Sequence, residues 1–264
     1  MRTHYQPIRS GTQSVERAIA LLKLVAVTNA TGSQFTELMQ QSQLNRTTLH
    51  RLLKCLIQQE VIRYDAIKKC YFLGPLIFQF GIVSKQQVDL HALLSASLTR
   101  IAEDTGDTAF LLVRSGNDAI YIDRRAGSYP IKTFVVEVGT RRPLGIGAGS
   151  LTMLSALSQQ EIKRVVQANE TALAAFGQTP KRLLGAVAII QKKGYASIPV
   201  EGLSGVVALG LPVLDPQGTP IAAFSVAAIV ERMSPARQKK IVQILKREAI
   251  LLQRLLTNKN VLDH

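Results

Sequence analysis

Between Val15 and Ile57 apolar residues return every three or four positions, interrupted by short polar runs. That spacing predicts amphipathic helices, because a helical turn holds 3.6 residues. A first helix starts at Ser14, carries the stripe Val15, Ala18, Leu21, Leu22 and Val25, and ends before Thr31-Gly32. A second starts at Phe35, with Leu38 and Met39 on its apolar face and Thr36 expected to cap it. The link Gln41-Ser-Gln-Leu44 is polar except for Leu44, which would plug the corner to a third helix. Asn45 is the expected N-cap there, since its side chain can accept from a free backbone N–H. Leu49, Leu52, Leu53, Leu56 and Ile57 make the buried stripe of this third helix. Its other face holds Arg46, Thr47, Thr48, His50, Arg51 and Lys54. Val61 to Leu73 then reads as a hairpin with the tip Asp65-Ala-Ile-Lys-Lys69.

Gly74-Pro75 breaks this pattern, and Leu76 to Thr105 reads as largely helical. Beyond it the period shortens. Thr108–Arg114 and Ala119–Arg124 flank Ser115-Gly-Asn-Asp118, a strong hairpin signal. Ile131 to Val138 alternates as a strand, and Ser158-Gln-Gln-Glu161 is a capping box for a helix to about Ala168. Leu183 to Lys193 is a helix stopped by Gly194, and Val206–Val213 and Ile221–Ala228 are apolar strands joined by Asp215-Pro-Gln-Gly218. Pro235 opens a closing helix to about Thr257. Antiparallel strands with helices give an α+β domain behind a small helical one.

Helix, corner, basic helix and basic-tipped hairpin in that order form a winged helix-turn-helix, whose second helix enters the DNA major groove. Thr47, Thr48 and Arg51 are the expected groove contacts, with Arg46 beside them; Arg can pair with a guanine edge and Thr can meet a thymine methyl. Arg63, Lys68 and Lys69 are expected on phosphates, which position without specifying. Charge agrees with this. Residues 1–85 hold 11 Lys/Arg against 4 Asp/Glu, a net of +7, whereas the remaining 179 hold 21 against 14, also +7. The basic excess is about twice as dense where the helix-turn-helix lies, and such an excess favours a polyanion. Residues 1–13 read as a flexible arm in which Arg2 and Arg9 could lie along DNA.

Cys55 and Cys70 make no disulfide framework, and they and the scattered His4, His50, His91 and His264 have no metal-ligand spacing. No apolar run approaches the roughly 18–20 residues of a membrane span, and residues 1–10 lack a signal-peptide core. A cytoplasmic protein without metal, cofactor or membrane partner is expected.

The stretch Pro143-Leu-Gly-Ile-Gly-Ala-Gly-Ser150 invites a dinucleotide reading, but Ser150 stands where the third glycine is required. Glu170 lies in helical, polar surroundings rather than at the end of a strand, where a ribose contact would need it. A nucleophilic Ser150 has no base, as no histidine lies between His91 and His264. Two readings stay open. The N–H groups of Gly149, Ser150 and Leu151 could hold a carboxylate at a helix start, or the stretch is a tight strand-to-helix turn with no ligand.

Ser14-Val-Glu-Arg-Ala-Ile-Ala-Leu-Leu22, Phe35-Thr-Glu-Leu38, Leu44-Asn-Arg-Thr-Thr-Leu-His-Arg-Leu-Leu53 and Tyr71-Phe-Leu-Gly74 closely resemble the isocitrate-lyase-regulator (IclR) family of bacterial transcription factors. The resemblance implies a winged helix-turn-helix over 14–74, a linker helix over 75–88 that helps to pair protomers, and a GAF-like effector-binding domain over 89–264. It implies a regulator of a catabolic pathway, not an enzyme, that binds an inverted-repeat operator in double-stranded DNA as a homodimer or dimer of dimers. Glu201-Gly-Leu-Ser-Gly-Val-Val-Ala208 and Ala222-Ala-Phe-Ser-Val-Ala-Ala228 match the segments that complete the family's effector pocket. Carried over, that pocket draws on Gly147, Ala148, Gly149, Ser150, Ala208, Ser225 and Ala227. Ala208 and Ala227 stand where some keto-acid-binding relatives have Cys and Ser, Ser150 where many have Lys, and Ser197–Val200 where many have acidic residues. These departures imply a roomier, more apolar pocket and a larger organic acid than glyoxylate, aromatic carboxylates included. The rival classes are an enzyme working through the C-terminal domain and a non-specific nucleic-acid-binding protein.

Overall fold

The computed structural model describes residues 12–29, 31–83 and 88–262, which fall into two units divided after Asp89. Most of the expected arm, with Arg2 and Arg9, and the expected linker's residues 84–87 lie outside the described residues.

In the first unit α1 (Gln13–Val27), α2 (Phe35–Ser42) and α3 (Arg46–Gln58) precede a wing of β2 (Ile62–Asp65) and β3 (Cys70–Leu73). A short β1 (Ser33–Gln34) pairs with β3, so the wing is three-stranded in the order β1-β3-β2. Leu21 and Val25, Leu38, Leu49, Leu53 and Leu56, and Ile62 close on one another as a core. Each such burial contributes about 2 kcal/mol. Asn45 caps α3 as expected, its Oδ1 accepting from Thr48 N–H at 2.8 Å. Thr36 does not cap α2. That position belongs to Gln34, whose N–H donates to Glu37 Oε2 at 2.9 Å. Val15 and Ile57 are exposed, because the first turn of α1 and the last of α3 extend past the small core.

After α4 (Pro75–Val83), α5 (Val88–Thr105) leads into the second unit, which builds on a sheet whose neighbours all pair antiparallel. Its strands are β4 (Thr108–Ser115), β5 (Asp118–Arg125), β6 (Arg141–Pro143), β7 (Ala196–Pro199), β8 (Val206–Leu214) and β9 (Pro220–Ile229), in the order β6-β5-β4-β9-β8-β7. Both faces are buried. Phe110 and Leu112 join the core under α6 (Ala148–Ser155), α7 (Gln159–Ala168), α8 (Glu170–Ala174) and α9 (Pro180–Lys193). Ala109 and Leu111 point the other way, into the core against α5 and α10 (Pro235–Leu262). Alternation along a strand separates the two sets.

The expected strand over Ile131–Val138 is absent. This segment is irregular, and Thr133 and Val136 are its buried positions, three apart rather than two. Thr133 holds it to the sheet through its side chain, Oγ1 donating to the Ala227 carbonyl at 2.6 Å, instead of through a backbone ladder. Strands β6 and β7, too short to show a period, were not foreseen.

Small residues bring α6 down onto the sheet. A Cβ at Gly210 on β8 would lie 2.4 Å from the Ala148 carbonyl carbon, and one at Gly149 would lie 2.7 Å from Leu112. Helix and sheet therefore touch at backbone distance there. The turn into α6 rests on Gly147, the N-cap, whose φ of +89° suits glycine.

Candidate nucleic-acid interface and ligand cavity

With Leu49, Leu53 and Leu56 inside, helical geometry turns Arg46, Thr47, His50, Arg51 and Lys54 outward, all exposed, while Thr48 is half-buried beside the Asn45 cap. No acidic residue lies on α3. Arg46 leans back toward α2, its guanidinium carbon 5.8 Å from the centre of the Phe35 ring. Cys55 is exposed on the same helix.

Cross-strand register organises the wing. Arg63 faces Phe72 and Tyr64 faces Tyr71. The Arg63 guanidinium sits 4.3 Å from the centre of the Phe72 ring, and Lys68 Nζ lies 5.8 Å from it. The Tyr64 and Tyr71 rings meet at a tilt on the other side, their centres 4.8 Å apart. At the tip, Asp65 Oδ1 accepts from the N–H groups of Ile67 and Lys68, each at 3.0 Å. Those bonds, that to Lys68 first, hold the Asp65 carboxyl below its ordinary range. The turn is thus set by Asp65, with Lys68 and Lys69 both exposed. Tyr64, half-exposed on the hairpin, was not singled out from the sequence, although its place in the hairpin alternation was a usable signal.

In the second unit a cavity of about 430 Å³ lies where the turn into α6 meets β5, β8 and the loop at Glu201. Gly147, Ala148, Ala208 and Ser225, all expected there, border it. Gly149, Ser150 and Ala227 do not. Gly149 faces Leu112, and Ala227 is buried in the core. The Ser150 hydroxyl is committed to the turn, accepting from Gly145 N–H at 2.8 Å. Leu151 N–H is not free either; it donates to the Gly147 carbonyl at 2.9 Å. The Ser225 hydroxyl donates to the Leu209 carbonyl at 2.9 Å. Phe110, Tyr121, Arg142 and Phe176 also border the cavity and were missed from the sequence, whereas Glu201, which borders it too, opens the segment Glu201–Ala208 expected there. The one visible signal for them was the pair Arg141-Arg142 immediately before the glycine-rich turn.

Among the described residues no group of three His, Cys, Asp or Glu could hold a metal, and no helix is long and apolar enough to cross a membrane.

Comparison with known proteins agrees with this geometry. The IclR helix-turn-helix domain matches residues 14–66, and the bacterial transcriptional regulator IclR C-terminal domain matches residues 83–253. The chain is 23% identical over 249 residues to the HTH-type transcriptional regulator KipR of Bacillus subtilis, covering 94% of this chain and 98% of that relative. The IclR transcriptional regulator of Alicyclobacillus acidocaldarius has a similar structure, with a TM-score of 0.75 at 24% identity, over 95% of this chain and 99% of that one. An IclR homologue from Microbacterium hydrocarbonoxydans, solved in complex with 4-hydroxybenzoate, gives a TM-score of 0.72 at 17% identity, over 93% and 99%. The family and the relatives it brings are transcriptional regulators rather than enzymes. With both domains matched in order along the chain, this protein belongs to the IclR family of bacterial transcriptional regulators.

Proposed function

We propose that the chain is a sequence-specific regulator that binds an inverted-repeat operator as a homodimer, or as a pair of dimers, and answers to an organic carboxylate. The observation that carries the DNA half is the outward face of α3, basic and hydroxylic with no acid on the helix. Two such helices related by a twofold axis would read half-sites one helical turn of DNA, or a multiple of it, apart. Thr47, Thr48 and Arg51 contact bases, with Arg46 and His50 beside them. Lys54, Arg63, Lys68 and Lys69 hold phosphates.

The effector half is supported by the mainly apolar cavity beside Gly147 and by the 4-hydroxybenzoate complex of the Microbacterium relative. A bound acid would favour one arrangement of the dimer and change operator affinity by its differential binding to the two states. The site of action is the cytoplasm, and the regulated genes belong to catabolism of such acids.

The test is selection of bound fragments from sheared bacterial DNA by the purified chain, followed by sequencing. Enrichment of a few sites sharing an inverted repeat supports the reading. Recovery in proportion to input, with a steep salt dependence, would leave only general affinity for the phosphate backbone.

A further inference from the structure

β6 carries two successive arginines, and strand alternation sends their side chains to opposite faces. Arg141 is committed. Its Nε donates to Asp118 Oδ2 at 2.7 Å, and its Nη2 donates to the carbonyl and the hydroxyl of Ser115, each at 3.1 Å. Arg142 faces the cavity, and among the described residues no carboxylate, carbonyl or hydroxyl meets its guanidinium. Its neighbour there is the Phe176 ring, 5.8 Å away. A second polar group of the same kind stands close by. Tyr121 is only 5% exposed, yet its hydroxyl has no hydrogen-bond partner among the described residues. That hydroxyl lies 2.8 Å from where a Cβ on Gly147 would fall, so it points at the turn that borders the cavity. The hydroxyl therefore opens onto the cavity as a donor that a ligand's acceptor can meet.

An unpaired cation and an unpaired O–H donor on one wall are complementary to one carboxylate. We infer that Arg142 and Tyr121 together form the carboxylate anchor of this cavity, for a monoanionic aromatic acid whose ring lies against Phe110 and Phe176. This rests on the reading of the cavity as the effector site. Phe110 and Tyr121 meet edge-to-face at 6.2 Å between ring centres, a wall suited to a further ring. A two- or three-carbon acid would leave most of the 430 Å³ and its apolar lining uncovered. Glu201, the acidic residue bordering the cavity, repels a second carboxylate and makes the site selective for monoanions. Burial raises the Tyr121 pKa and the nearby Arg142 only partly offsets this, so the phenol keeps its donor proton near neutral pH.

Calorimetric titration of the full chain with benzoate, 4-hydroxybenzoate, benzamide, pyruvate and terephthalate tests the inference. The two monoanionic aromatic acids should bind, and pyruvate and terephthalate should bind at least tenfold more weakly. Arg142→Gln should weaken benzoate roughly a hundredfold, through loss of an ion-paired bond, and Tyr121→Phe roughly tenfold, the low end for a neutral donor on a charged acceptor. Benzamide, which lacks the charge but keeps a carbonyl acceptor, should bind Arg142→Gln about as it binds the parent chain and should still be weakened by Tyr121→Phe. Glu201→Gln should admit terephthalate, a gain that a misfolded variant cannot deliver. Unchanged benzoate affinity in Arg142→Gln, or failure of both aromatic acids to bind the parent chain, would overturn the anchor. The fragment selection above reads DNA specificity separately. A motif enriched without any acid binding sinks the anchor alone, and Arg142-dependent benzoate binding without a motif sinks the operator reading alone.

Discussion

At the scale of single residues, function divides between groups already paired and groups left open. Arg51 projects exposed from α3 with no partner among the described residues, so Arg51→Ala should cost about 1–3 kcal/mol of operator affinity and relax specificity at one base pair. Lys69→Ala should weaken all sequences alike and lower the slope of affinity against salt. Competition binding with the selected operator and a scrambled duplex distinguishes the two; equal losses on both duplexes for Arg51→Ala would remove it from base reading. Glu248 shows the opposite case, a buried acid fully engaged. It accepts from Arg100 Nη2 at 2.7 Å and from Arg247 Nη2 at 2.9 Å. Burial pushes its carboxyl up, but hydrogen bonds from Arg100, Arg247 and Ser97 outweigh that and hold it below the ordinary glutamate range. A carboxyl depressed in the folded state adds stability above its unfolded pKa and loses it as the pH falls through the folded value. The second unit should therefore lose stability from about pH 5 downwards, and Glu248→Gln should flatten that loss. At neutral pH the same variant should cost about 1–2 kcal/mol, at the low end for charged bonds because both arginines are about half exposed and regain water. Thermal melts at pH 7 and pH 4 check both statements; parallel pH profiles for the two proteins would refute the assignment.

At the scale of elements, α3 and α6 behave differently. α3 is organised by its own sequence, through the Asn45 cap and a leucine stripe. Asn45→Ala should cost about 1 kcal/mol of stability in the first unit, measurable by denaturant unfolding. α6 is wholly buried and has no polar face, so its position is decided by what it lies on. The contact at Gly210 is backbone against backbone and cannot be relieved by turning a side chain. Gly210→Ala should destabilise the second unit by about 1–3 kcal/mol and weaken benzoate binding, because the turn through Gly147 moves with α6. Unaltered melting of this variant would show that the helix shifts at little cost.

At the scale of the molecule, two units carry separate cores, and the fragment 90–264 should melt cooperatively by itself and be stabilised by benzoate in proportion to ligand excess. A fragment without a cooperative melt would show that its core needs the first unit. The order of elements was legible along the chain because helical stripes, caps and hairpin turns are local. Leu49, Leu53 and Leu56, the Ser158 cap and the turn at Asp215 all act within a few residues of themselves. The resemblance to the family rested on the same local runs. Ile131–Val138 misled for the converse reason: its alternation had the period of a strand but no neighbouring ladder to join. The cavity was legible only in part. Small residues at Gly149, Ser150 and Ala227 look alike whether they face a ligand or a packed neighbour, and here they serve packing and the turn. Arg141 and Arg142 are equivalent as letters. Only the pairing of β5 with β6 brings Asp118 beside Arg141 and leaves Arg142 open toward Tyr121, 21 residues earlier in the chain. The sequence by itself determined the basic outward face of α3, the β2–β3 hairpin and the pairs β4–β5 and β8–β9, since each follows from spacing within one element or across one turn. The tertiary structure decided which polar groups remain unsatisfied, because that depends on partners that distant segments supply or withhold.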